Sequence, residues 1–200
     1  FVVDAHDRPG EVDGYAVYRM TPGSPVADYA VTVSEVVADT ADQHRALWRV
    51  VGSSGSQAPD VNVAGPAEDP LFLILGGAEP TSVQREIRWM LRLVDVAGAV
   101  AARGWNPAAS GCVHLQVEDQ YASWNDGRWV LEVAGGEGRL TPGGDGTVGV
   151  GIGGLSSWWS GYASARTLLR TGHLESTDQV ALSVLDGLGA ASPPSLVDVY

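Results

Sequence analysis

Hydrophobic and polar positions along this chain change period several times, and each change predicts an element. Residues 14–20 and 29–37 are dense in β-branched and aromatic side chains. The Pro- and Gly-containing TPGSPVAD between them reads as a hairpin connection, so two antiparallel strands are expected. Thr40 or Asp42 then caps a helix that places His44, Leu47, Trp48 and Val51 on one face, and Gly52 to Gly55 should end it. DVNVAG reads as a short strand. DPLFLIL, led by Pro70, fits a short helix, with a strand as the alternative. Residues 76–82 look like a linker.

The segment Trp89–Trp105, WMLRLVDVAGAVAARGW, passes from strand spacing to helix spacing across Asp95. Trp89, Leu91 and Leu93 alternate with Met90, Arg92 and Val94, which predicts a strand buried on at least one face. The alanine-rich second half predicts a helix ending near Gly104, with Asp95 as its N-cap. Strands are expected at 112–118, 127–134 and 137–141, with turns at Asn125-Asp126-Gly127 and Gly135-Gly136, in a meander. A strand from Thr147 and helices around 153–160, 163–171 and 176–188 follow, the last capped by Asp178 or Ser176. Pro193-Pro194 stops that helix and leaves SLVDVY as an extended tail. The whole reads as an α+β layout.

With 200 residues and 44% hydrophobic content, the chain can bury a sizeable core as one large domain or two small ones. No apolar run is long enough for a bilayer, and the start has no secretory signal, so a soluble chain without membrane partners is expected. The start also lacks a methionine, which suggests a fragment or a processed chain. A lone cysteine, Cys112, read as a buried strand residue, fits a reducing, cytoplasmic compartment. A formal charge of −12 with unclustered arginines argues against nucleic-acid binding and favours cationic partners.

Gly149, Gly151 and Gly154 match the letters of a dinucleotide fingerprint, with Glu175 further on. The expected succession of helices is the wrong context, so these glycines are assigned to a strand edge and close packing. His6, His44, His114 and His173 are scattered without metal spacing, and no metal site is expected. No serine-nucleophile elbow occurs. Glu118, Asp119 and Asp126 read as a solvated turn. Trp124, Trp129, Trp158 and Trp159, with Tyr121 and Tyr162, read mainly as core.

The Trp89–Trp105 stretch resembles the signature that opens the sterol-carrier-like C-terminal domain of the enhanced intracellular survival group of GNAT N-acetyltransferases. GYAVYRM, HRALWRVV, DPLFLIL, RWVLEVAGGEGRLTP, GIGGLSSWWSG and a tail ending in an aromatic residue agree with that group in order. The resemblance implies a degenerate, central GNAT-like unit at 1–82 and a sterol carrier protein 2-like domain at 83–200, with a sheet covered by helices on one side. It implies an acetyl-CoA-dependent amine N-acetyltransferase whose acceptor is a cationic amine of the aminoglycoside, polyamine or lysine kind. The terminal carboxylate, here that of Tyr200, would be the general base. Asp95 and Trp89 would be anionic and aromatic walls of the acceptor pocket. In relatives an acid can precede the last residue. Here Val199 does, leaving Asp198 as the nearest carboxylate, which puts substrate preference in doubt. Relatives form oligomers, so a homo-oligomer is expected. The group's pyrophosphate loop, of R-G-x-G type, is missing from these residues. Acetyl-CoA would therefore be held by an N-terminal domain absent here, and the chain alone should bind no cofactor and acetylate nothing. The alternatives are a non-catalytic sterol-carrier-like module for lipid or another hydrophobic ligand, and a scaffold for oligomer assembly.

Overall fold

The computed structural model describes residues 2–4, 12–22, 29–53, 58, 60–66, 69–74 and 81–196. The chain divides into two compact units, Phe1–Ile87 with Ser195–Tyr200, and Arg88–Pro194.

The first unit holds a four-stranded sheet in the order β1-β2-β3-β4. Its strands are β1 (Val2–Asp4), β2 (Val12–Pro22), β3 (Tyr29–Ala38) and β4 (Val61–Val63). β2 and β3 pair antiparallel, as their composition predicts, with one register shift between Val17 and Tyr18. Most of TPGSPVAD lies outside the described residues. β4 joins β3 in parallel, a partnership that chain order does not reveal. Helix α1 (Ala41–Gly52) begins at Thr40, whose hydroxyl accepts the Gln43 N–H, while the Gln43 side chain accepts the N–H groups of Asp39 and Thr40. This capping box satisfies donors that the first helical turn would leave open. Leu47 and Val51 are buried on the inner face of α1, and Val31, Val33, Val51 and Ala58 form the small core. DPLFLIL becomes a single helical turn, α2 (Leu71–Ile74), started by Pro70.

The second unit is built on a mixed five-stranded sheet, β7-β6-β5-β8-β9. β5 (Gly111–Glu118), β6 (Gly127–Ala134) and β7 (Glu137–Pro142) form the antiparallel meander. Gly135 and Gly136 turn the second hairpin with φ of 60° and 88°, the left-handed pair that a two-residue turn of this hand requires. β8 (Val148–Gly151) then adds in parallel to β5, and the two-residue β9 (Leu174–Glu175), not anticipated from the pattern, closes that edge.

Helices α3 (Val96–Ala102), α4 (Ile152–Trp159), α5 (Ala165–Arg170) and α6 (Gln179–Gly189) complete the unit. Asp178 caps α6 through the N–H groups of Val180 and Ala181, and Ser176 supports that cap by accepting the Asp178 N–H. Val113, Leu115, Val117, Leu131 and Leu182 share one core with Trp105 and Trp158. The Trp158 indole donates to the Leu185 carbonyl and so ties α4 to α6.

The predicted strand over 89–94 does not form. This segment belongs to neither sheet, and at its end two backbone groups are bonded by side chains instead of by a neighbouring strand. The Ser156 hydroxyl accepts the Leu93 N–H, and Asn125 and Trp124 both donate to the Val94 carbonyl. The alternation survives only as burial: Leu93 is buried, whereas Met90 is 99% exposed. Cys112 is a strand residue but an exposed one, since Val113, Leu115 and Val117 take the inner face of β5 and parity turns Cys112 outward. Among the described residues, no helix is long and apolar enough to cross a membrane.

Candidate functional site

Asp95 sits where the extended segment turns into α3. Its Oδ1 accepts the Gly98 N–H at 2.9 Å, which makes it the N-cap that its residue type predicts. The carboxylate is exposed and, among the described residues, no arginine pairs with it. Both peptides flanking it are gripped by one buried side chain. Asn125 accepts the Val96 N–H through Oδ1 at 3.0 Å and donates through Nδ2 to the Val94 carbonyl, also at 3.0 Å. Trp124 adds its indole N–H to the same carbonyl at 2.8 Å while leaving the ring 63% exposed.

Behind this grip stands Asp119. It is buried, with Arg92 Nη2 at 2.6 Å and Asn125 Nδ2 at 3.0 Å, and it accepts the N–H groups of Tyr121 and Ala122. Burial by itself raises a carboxyl pKa. Here the hydrogen bonds from Asn125, Arg92 and the two backbone amides outweigh burial and hold Asp119 down at about 2. Asp126, itself exposed, closes the turn by accepting the Asp119 N–H. The acidic run 118–126 is therefore no simple solvated turn. Its middle member is an internal anion that organises the loop carrying Trp124 and Asn125.

A carboxyl whose folded pKa lies below its ordinary value near 3.8 stabilises the fold above that value and stops doing so as pH falls towards the folded pKa. The second unit should accordingly lose stability between about pH 4 and about pH 2. Denaturant midpoints across that range check this, and Asp119→Asn should flatten the dependence.

The aromatic residues divide against expectation. Trp158 is buried, and Trp129 and Trp159 are partly so, but Tyr121, Trp124 and Tyr162 are exposed. Tyr121 lies under the Arg92 guanidinium, 5.7 Å from ring centroid to Cζ. Arg103, at the end of α3, stacks on Trp105 at 4.4 Å, faces Trp159 at 5.9 Å and donates to the Trp159 carbonyl at 2.6 Å. Burial lowers its pKa, and the indole faces partly replace the water it has lost. Trp89 is 38% exposed on the extended segment, and no hydrogen bond or ring contact joins it to Asp95 among the described residues. Val199 and Tyr200, like Asp198, lie outside the described residues, as does His6.

The three fingerprint-like glycines serve packing. Gly149 faces Glu175 across β8 and β9, Gly151 caps α4, and a Cβ at Gly154 would stand 2.5 Å from the His173 carbonyl oxygen. The strand after α4 and α5 runs antiparallel to β8, whereas a dinucleotide fold needs a parallel one. Among the described residues, no group of three or more His, Cys, Asp or Glu side chains is placed to hold a metal ion.

Sequence pattern could find Asp95 as a helix N-cap, and did. It could not have found Asn125 or Asp119 as its supports, because they act from 24 to 31 residues away along the chain. Asn-Asp-Gly looks like turn chemistry alone.

The two units, each a sheet accompanied by helices, make an α+β architecture. The GNAT acetyltransferase domain matches residues 1–93 and the sterol carrier protein domain matches residues 96–197. The chain belongs to the family of the sterol carrier protein domain over its second half, carries a match to the GNAT acetyltransferase domain ahead of it, and is similar in sequence to the Eis N-acetyltransferases. It is 30% identical, over 91% of its length, to the N-acetyltransferase Eis of Mycobacterium tuberculosis, of which it covers 44%. Among solved structures, a GCN5-related N-acetyltransferase from Kribbella flavida is 32% identical with a TM-score of 0.82, and the match covers 94% of this chain and 46% of that one. Another, from Anabaena variabilis, is 27% identical with a TM-score of 0.89, covering 96% and 48%. The chain thus spans about half the length of the relatives it matches.

Proposed function

We propose that this chain is the C-terminal part of an acetyl-CoA-dependent amine N-acetyltransferase, in which residues 1–82 form a degenerate GNAT-like unit and residues 83–200 shape the acceptor pocket. The observation that carries the reading is the match to both domains, in this order, across nearly the whole chain. Asp95 adds local support, as an exposed carboxylate with no arginine partner among the described residues, held beside an exposed indole. A polyamine, aminoglycoside or lysine ammonium is the kind of guest such a corner attracts.

Acetyl transfer needs a neutral amine to attack the thioester carbonyl, with the amine's proton removed and the thiolate released. In this reading Asp95 and Trp89 hold a charged group of the acceptor away from the reacting nitrogen, and the Tyr200 carboxylate takes the proton, directly or through a water. Acetyl-CoA would be held by residues beyond this chain, whose sequence has no R-G-x-G-type loop. A homo-oligomer is part of the same proposal.

Asp95→Asn tests the acceptor role cleanly, because asparagine caps a helix as well as aspartate and only the charge is lost. In the longer enzyme, followed by thiol release from acetyl-CoA, the KM for a multiply charged amine should rise about two- to fivefold, as for an exposed ion pair, with kcat unchanged. An unaltered KM would remove Asp95 from the pocket. A longer enzyme that releases no thiol with any amine would remove the acetyltransferase reading itself.

A further inference from the structure

The connection from β7 to β8 carries a histidine–carboxylate contact that the proposed reaction does not use. In the order β7-β6-β5-β8, this connection has to cross β6 and β5. It does so as a strap pressed on the face opposite Val113, Leu115 and Val117. A Cβ at Gly144 would stand 3.0 Å from His114 Cγ and from Val130 Cγ2, and one at Gly146 would stand 3.2 Å from Gln116 Cβ. Gly143, Gly144 and Gly146 all have positive φ, so the strap's path is open to glycine and strained for other residues. Between them Asp145 turns to His114.

His114 Nδ1 faces two groups of Asp145 that require opposite protonation states. The carboxylate Oδ1 is at 2.8 Å and needs a donor, while the backbone N–H is at 3.3 Å and needs an acceptor. A charged imidazole can only donate, and adds Coulomb attraction to the bond. A neutral one can turn its lone pair to the N–H instead. The same Oδ1 accepts the Thr147 N–H and hydroxyl at 3.3 and 3.0 Å, and the Thr147 carbonyl accepts the Ser176 hydroxyl just before α6. The orientation of one carboxylate therefore governs where the strap ends.

Other charged groups on the strands around His114 are Glu118 on β5, Arg128 and Glu132 on β6, Glu137 and Arg139 on β7 and Glu175 on β9. Arg128 is held by Gln116, Arg139 lies opposite Glu132 and Glu175 lies opposite Gly149. Asp145 is the carboxylate in hydrogen-bond contact with the imidazole.

We propose that His114 and Asp145 form a pH-sensitive clasp on the β7–β8 strap, closed when the imidazole is charged and the carboxylate ionised, and looser when the imidazole is neutral. The bond from His114, with those from Thr147, holds the Asp145 carboxyl below its usual range. Histidine is the side chain whose charge ordinarily changes around neutrality, so comparing mild acid with mild base is the comparison that tests the clasp.

Amide hydrogen exchange over residues 143–147 of the full chain, corrected for intrinsic rates, tests this at about pH 5.5 and about pH 8. Protection of the strap should be about two- to fivefold greater in acid, the range for an exposed ion pair, with the interior of α6 unchanged. His114→Gln and Asp145→Asn, each verified as folded by circular dichroism, should both give equal protection at the two pH values. Equal protection in the unaltered protein, or a pH difference that persists in both variants, overturns the clasp.

Discussion

Replacing Asn125 by alanine is expected to destabilise the second unit by about 3–5 kcal/mol, because it leaves several internal groups short of partners at once. The Val96 N–H loses its acceptor, the Val94 carbonyl keeps only the Trp124 indole, and Asp119 loses one of its donors. Each buried group left unsatisfied costs about 1–3 kcal/mol, so the sum is a large share of the roughly 5–15 kcal/mol that holds a domain together. For a unit of this size, the melting temperature should fall by on the order of 15 °C. A companion, Asn125→Asp, would keep an acceptor for Val96 but set a second carboxylate against Asp119, and should recover stability in acid. Thermal melts followed by near-ultraviolet circular dichroism check both. A loss below about 1 kcal/mol would mean that water substitutes for the amide and that Asp95 is not rigidly supported.

In the enzyme for which Tyr200 is the last residue, removing Tyr200 is expected to lower kcat about 10²-fold, the lower range for loss of a general base, with acetyl-CoA affinity intact. An α-carboxyl in water has a pKa near about 3.5, too weak a base for an amine near neutrality. Its proposed role therefore requires partial burial beside other acids, which raises the pKa, or a water that relays the proton. The pH profile separates the base from a merely structural tail. Loss of a base should remove the acidic limb of the kcat profile, whereas loss of packing should lower the whole curve without changing its shape. Unchanged turnover would show that the tail takes no part in proton transfer.

Much of the architecture was legible because it rests on local rules. The Thr40 capping box, the Gly135-Gly136 turn, the Asp178 cap and the alternation of β5 and β6 each depend on residues within a few positions of one another. The failures share a cause too. The 89–94 segment has strand spacing, yet pairing needs a neighbouring strand, and here Ser156 bonds the Leu93 N–H while Asn125 and Trp124 bond the Val94 carbonyl. Cys112 is exposed because hydrophobic character does not say which face of the sheet a residue will occupy, and Tyr121 because it lies in the turn between β5 and β6, outside the sheet.

For the candidate site the division is sharper. Sequence alone determined that Asp95 would cap a helix, since an N-cap is decided by its own residue type and the N–H groups of the next turn. Tertiary structure alone decided that Asp119 would be an internal anion and Asn125 the clamp on both sides of Asp95. A carboxylate at a turn is solvated or buried according to which distant side chain reaches it. Here Asn125, and Arg92 from 27 residues earlier in the chain, arrive through folding and supply hydrogen bonds that, with two backbone amides, let Asp119 stay ionised away from water.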